Sequence, residues 1–195
     1  MNVLKYFIPV GFAILFICAI PPANNKYTLS KGYNVTIHGT SNLHDWDETV
    51  ETVTGDGIID WNADGSFDLG AMKIKMLVHS IKSKEGSIMN NNTYKALKAD
   101  DHPEIIYALT DPVKAIPVNG HIISAKVDIF IAGVTKRIDM NIKATSKGRD
   151  VEFEGSQIIR MTDYGINPPR ALLGTLKTGN EITIHFKANF TITAN

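Results

Sequence analysis

The stretch "EITIHFKANFTIT" (residues 181–193) alternates apolar and polar residues without a break. Ile182, Ile184, Phe186, Ala188, Phe190 and Ile192 face one way; Thr183, His185, Lys187, Asn189 and Thr191 face the other. A period of two sustained over this length describes an extended strand with one buried and one wet face. Four further stretches repeat the pattern. Tyr33, Val35 and Ile37 share a face in "YNVTIHG", as do Met72, Ile74, Met76 and Val78 in "MKIKMLVHS". Ala125, Val127, Ile129 and Ile131 do so in "ISAKVDIFIAG", and Ile138, Met140 and Ile142 in "KRIDMNIKA". One buried face per strand is the habit of antiparallel sheets; parallel sheets show continuous apolar runs with interleaved helices, which this chain lacks.

Weaker strand signals lie around residues 27–31, 48–60, 103–111 and 150–160, giving eight or nine strands in up-and-down order. Turn residues punctuate them at "TGDG" (54–57), "NADGS" (62–66), "PVNG" (117–120), "AGVTK" (132–136) and "SKGRD" (146–150). A long meander exposes two edges unless it closes, so the fold class expected is all-β, a single antiparallel barrel, with a flattened sandwich as the alternative. At about eight strands the interior holds packed side chains or one small ligand.

The chain opens with "MNVLK", then the apolar "YFIPVGFAILFICAI", then "PPANN". A short basic start, an apolar run and an abrupt break read as a secretory signal over residues 1–23, leaving one domain over 24–195. A retained anchor is the other reading, and it would want about 18 or more uncharged apolar residues. The single cysteine, Cys18, lies in that segment, so the exported domain has no thiol, no disulfide and no thiolate metal site. Lys+Arg and Asp+Glu balance at 20 each, which argues against nucleic acid and against a polybasic membrane anchor.

Residues Met89 to Lys98 break the β pattern. The spacing predicts a short helix capped by Asn90, Asn91 or Asn92, carrying an apolar stripe of Met89, Tyr94 and Leu97 and ended by the His102–Pro103 step. The stripe would lie over one barrel end as a plug or a lid.

Catalytic and metal chemistry find little support. The six histidines, His38, His44, His79, His102, His121 and His185, show no ligand spacing. "LHDWD" (43–47) and "ADDHP" (99–103) set His beside carboxylates, but neighbours on an extended strand point apart. No nucleophile elbow, SxxK pair or phosphate-cradling loop is present. The inward face is the positive signal: Met72, Ile74, Met76, Val78, Val127, Ile129, Ile138, Met140, Ile142, Ile184, Phe186 and Phe190 would line an interior that Met89, Tyr94 and Leu97 close. Such a face fits a filled core or an adaptable apolar pocket for an alkyl or prenyl chain.

Three pieces in this order resemble the YceI-like family: "MNNNTYKALKADDHPEIIY", "AGVTKRIDMNI", and "DYGI" followed by "TGNEITIHF". The resemblance spans essentially all of the chain after its opening segment. It implies an eight-stranded antiparallel lipocalin-like barrel with one helix across or near an end, and a polyisoprenoid chain held inside. It carries over cavity lining rather than reactive groups, so the expectation is a non-enzymatic periplasmic or secreted lipid-binding protein. No cofactor other than a bound isoprenoid lipid is implied, and no stable membrane span remains after signal cleavage. The oligomeric state stays open, a homodimer being one option. "NPPRALLG" (167–174) reads as a long mouth loop. The alternatives are a core-packed exported structural or interaction domain, and a hydrolase in which His44, Asp45, Asp100 and His102 would have to converge.

Overall fold

In a computed structural model, which describes residues 25–171 and 174–193, the chain is an antiparallel β-barrel with one α-helix. The expected signal segment lies outside the described residues. In chain order the strands are β1 (Lys26–Leu29), β2 (Asn34–Ser41), β3 (Trp46–Val50), β4 (Val53–Trp61), β5 (Phe67–Leu77) and β6 (Ile81–Ser83). The helix α1 (Ser87–Ala96) follows. Then come β7 (Glu104–Leu109), β8 (Val113–Ile116), β9 (Asn119–Ile131), β10 (Val134–Lys147), β11 (Asp150–Arg160), β12 (Arg170–Ala171) and β13 (Leu176–Ile192).

Ladders run β1-β4-β5-β7-β9-β10-β11-β13, and β13 returns to β1, so eight strands close. Several short strands are halves of longer ones. β1 and β2 both lie along β13, pairing Tyr27 with Ile192 and Ile37 with Ile184. β3 and β4 run back along them, and the break is bridged by Tyr33, whose hydroxyl donates to Glu51 O at 2.8 Å and accepts from Val53 N at 3.1 Å. β5 and β6 continue each other through a 3-10 turn at Val78–Ser80. Beyond β6 no strand continues the ladder, and α1 packs there instead.

The expected alternation holds along the long strands: Ala125, Val127, Ile129 and Ile131 are all buried on β9. The β9–β10 hairpin turns on Ala132 and Gly133, at φ 50° and 91°. Positive φ at both central positions matches the twist of the flanking strands, and Gly133 also leaves room for the His102 ring.

Two sequence expectations are corrected. "TGDG" (54–57) is not a turn but the middle of β4. Its glycines face inward, where a Cβ on Gly57 would stand 2.9 Å from Met72 Cε and one on Gly55 3.3 Å from Phe190 Cζ. The glycines make space for neighbouring side chains rather than bending the chain. The helix begins two residues earlier than expected, and its N-cap is Gly86 rather than an asparagine. Asn90 is spent otherwise, its Oδ1 accepting from Ser83 N at 2.8 Å.

The core divides by height. At the end away from α1, Tyr27, Ile59, Phe67, Ile116, Phe153 and Phe190 form a tightly packed floor. Phe153 stands edge-on to both Phe67 and Phe190, with centroids 6.5 and 5.9 Å apart, a geometry that suits aromatic quadrupoles. A larger cluster occupies the rest of the barrel and ends against α1.

Candidate ligand cavity

Between the floor and the helix the barrel is incompletely filled. A first cavity of about 80 Å³ sits at mid-height, and Met72, Ile74, Met76, Val127, Met140 and Phe186 contribute to its lining. A second, also about 80 Å³, lies directly beneath α1 and is lined by Met89 and Leu97 from the helix and by Ile37, Trp46, Ile105 and Ile159 from the strands. Ile184 lines both and is the partition between them. A surface groove of about 310 Å³, lined by Glu85, Ile88, Arg170 and Leu176 among others, shares Met89, Asn92, Pro169 and Thr178 with the second cavity and so adjoins it.

Other residues expected on the lining are placed elsewhere. Phe190 belongs to the aromatic floor. Val78 and Ile129 are wholly buried in the packed wall, and Ile142 packs between the two clusters. Ile138 packs against the upper cluster and borders an outer groove with Ile158 and Tyr164. Tyr94 turns toward β6: its hydroxyl lies 2.9 Å from the carbonyls of both His79 and Ile81 and accepts from Lys82 Nζ at 2.7 Å. In a tilted barrel the inward side chains near an end meet as a filled layer, so space is left only where opposing residues fail to touch.

The polar groups of the interior are few and specific. Glu48 points inward from β3 between Trp46 and Val50 and is 2% exposed. Its Oε1 accepts a 2.6 Å hydrogen bond from Thr93 Oγ1 on α1. Burial raises its pKa from 4.5 to about 7; the Thr93 bond works against that rise and nearby Glu85 adds to it. Tyr107, in the lining of the first cavity, has a buried hydroxyl with no hydrogen-bond partner among the described residues, and burial pushes its pKa up. The indole of Trp46 lies flat over Gly39, which a side chain there would prevent, and donates from Nε1 to Thr40 O at 3.2 Å.

The polar candidates of the sequence do not converge. His44 contacts Asp45 O and Glu85, His79 lies 3.7 Å from Asp100, and His102 packs edge-on to Phe130. His38 pairs with Asp47 on the outer surface. Among the described residues no three His, Cys, Asp or Glu side chains gather as metal ligands would. Also among them, no helix is long and apolar enough to cross a membrane. Glu48 is not among the residues that the sequence places on the lining. The alternation of "WDETV" carried the signal, because Trp46, Glu48 and Val50 share one register.

Residues 33–190 match the family model of the YceI-like domain. Among solved structures, a polyisoprenoid-binding domain from Saccharophagus degradans implicated in plant cell wall breakdown superposes with a TM-score of 0.68 at 12% identity, covering 86% of this chain and 98% of that one. Burkholderia cenocepacia BcnA gives 0.61 at 12% identity, covering 82% and 96%. A Campylobacter jejuni YCEI protein gives 0.58 at 15% identity, covering 76% and 85%. No curated protein matches the chain.

Proposed function

Because the chain belongs to the YceI-like family, we propose that it is a lipid-binding protein that holds a polyisoprenoid or similar long apolar chain inside its barrel. One observation carries this reading: two apolar cavities lie between an aromatic floor and a helix, with Ile184 the one described residue that lines both. Each buried methylene contributes about 0.8 kcal/mol, so a long chain is held without any ionic anchor. At 80 Å³ each, the cavities hold about three water-sized groups, taking roughly 30 Å³ per group. A longer chain enters by displacing unbranched side chains, and Met72, Met76, Met140 and Met89 are placed to move in this way. The name of the S. degradans neighbour supports the same ligand class.

The protein acts by sequestering or carrying its ligand rather than by transforming it. Its apolar opening segment supports export, with residence in the periplasm or outside the cell. The test is organic extraction of the purified protein followed by mass spectrometry. The reading expects an isoprenoid or other long-chain lipid at close to one per chain. A lipid-free extract, together with failure of the emptied protein to take up added polyprenol, is the result of a core-packed barrel and contradicts it.

A further inference from the structure

The barrel is not uniform along its axis. Both cavities are walled mainly by hydrocarbon, but the polar residues of the mid-height lining are Tyr33, Tyr107 and Gln157, whereas the one beneath α1 has Glu48, Thr93, Asn92 and Thr178. The Thr93 bond that ties Glu48 to α1 does not require a carboxyl, because a side-chain amide oxygen would accept it as well. The helix N-cap is Gly86, so the Glu48–Thr93 bond in mid-helix caps nothing. No Lys, Arg or His lines this cavity, and the nearest basic side chain of β6, Lys82, gives its Nζ to His79 O and Tyr94 OH. Thr93 bonds one carboxyl oxygen, and no other donor among the described residues reaches the group. An unpaired carboxyl in an apolar chamber is expensive to keep, and a methyl-bearing side chain would pack there at no such cost.

We propose that Glu48 is the head-group selector of the barrel: with Thr93 and Asn92 it holds the hydroxyl end of a long-chain alcohol beneath α1 and excludes chains that end in phosphate or carboxylate. The inference rests on the lipid-binding reading above. A hydroxyl suits this set because it donates to the carboxyl or to Thr93 Oγ1 and accepts from the Asn92 amide, while the Thr93 proton stays on Glu48. A phosphate or carboxylate would bring a negative charge into a chamber that no Lys, Arg or His lines, and above pH 7 that charge would stand beside the ionised Glu48. The chain then points down past Ile184 into the hydrocarbon cavity and stops at the aromatic floor. Arg170 is the one Lys, Arg or His among the described residues that line the outer groove, and it lies outside the chamber.

The experiment compares geranylgeraniol, geranylgeranyl phosphate and geranylgeranoic acid, which share one chain, on the delipidated protein above pH 7 by quenching of tryptophan fluorescence and by calorimetry. The alcohol binds about tenfold or more tightly than either anion. In Glu48→Gln, which keeps hydrogen-bonding capacity and removes the charge, that ratio falls to about threefold or less while alcohol binding is retained. Equal affinity for all three ligands in the wild-type protein, which requires no variant, overturns the selector and leaves the lipid-binding reading standing. A preference that survives Glu48→Gln undiminished also overturns the selector, because the discrimination then does not come from the carboxylate. Failure of all three ligands to bind overturns both readings.

Discussion

Thr93 on α1 and Glu48 on β3 are joined by a 2.6 Å hydrogen bond across the mouth of the barrel. It is the one side-chain bond among the described residues that ties the helix to β3; Tyr94 and Asn90 tie it to β6 and its approach. The helix is thus held on both sides of the cavity it covers.

The raised pKa of Glu48 makes stability pH-dependent. The folded state keeps the proton up to about pH 7, whereas the unfolded chain loses it near 4.5. Stability from the neutral carboxyl is therefore complete below that lower value and lost as pH rises through 7, by at most an amount on the order of 3 kcal/mol. Denaturant unfolding should show Glu48→Gln matching the wild type near about pH 5 and exceeding it near about pH 8. Glu85 is the charged group that faces Glu48, and His44 stands 3.5 Å from Glu85. Glu85→Gln should move the midpoint of the loss to lower pH.

Phe190 and Ile184 share a face of β13 but differ in task. Phe190→Ala removes a wholly buried ring from the floor and should cost about 3–5 kcal/mol in urea unfolding. Ile184→Trp instead thickens the partition between the cavities. It should abolish lipid retention in extracts at a cost of about 1–3 kcal/mol.

Tyr94→Phe leaves the helix its apolar contacts and removes the hydroxyl that meets His79, Ile81 and Lys82. Loss of about 1 kcal/mol is expected, with the helix looser against β6. Stopped-flow displacement of a bound fluorescent lipid should be faster in this variant if α1 is a lid. An unchanged exchange rate with lowered stability would identify it as a fixed plug.

Gly39→Ala places a methyl group where the Trp46 indole lies. The indole must leave its seat in the second cavity, which should shift tryptophan emission toward the red and destabilise the fold by about 1–3 kcal/mol.

The barrel was legible because its long strands alternate strictly, and alternation is a local property that survives any tertiary arrangement. Which inward residues line a cavity was not legible from the same signal. Phe186 and Phe190 occupy equivalent registers of one strand, yet Phe186 meets open space and Phe190 meets Phe153. That difference depends on what stands across the barrel, which periodicity does not contain. The glycines at 55 and 57 misled for a related reason: their small size serves Phe190 and Met72 across the interior, not a local turn. Glu48 is readable by register, because it shares the buried face of β3 with Trp46 and Val50.

The central claim is that an apolar chain lies inside the barrel between the floor and α1. Photocrosslinking with a diazirine-bearing polyprenol, followed by peptide mapping, tests it most directly. The account predicts adducts on the segments carrying Met72, Met76, Met140 and Ile184, with Met89 labelled from the helix side. Labelling confined to exposed apolar residues such as Ile122 and Ile158 would contradict it.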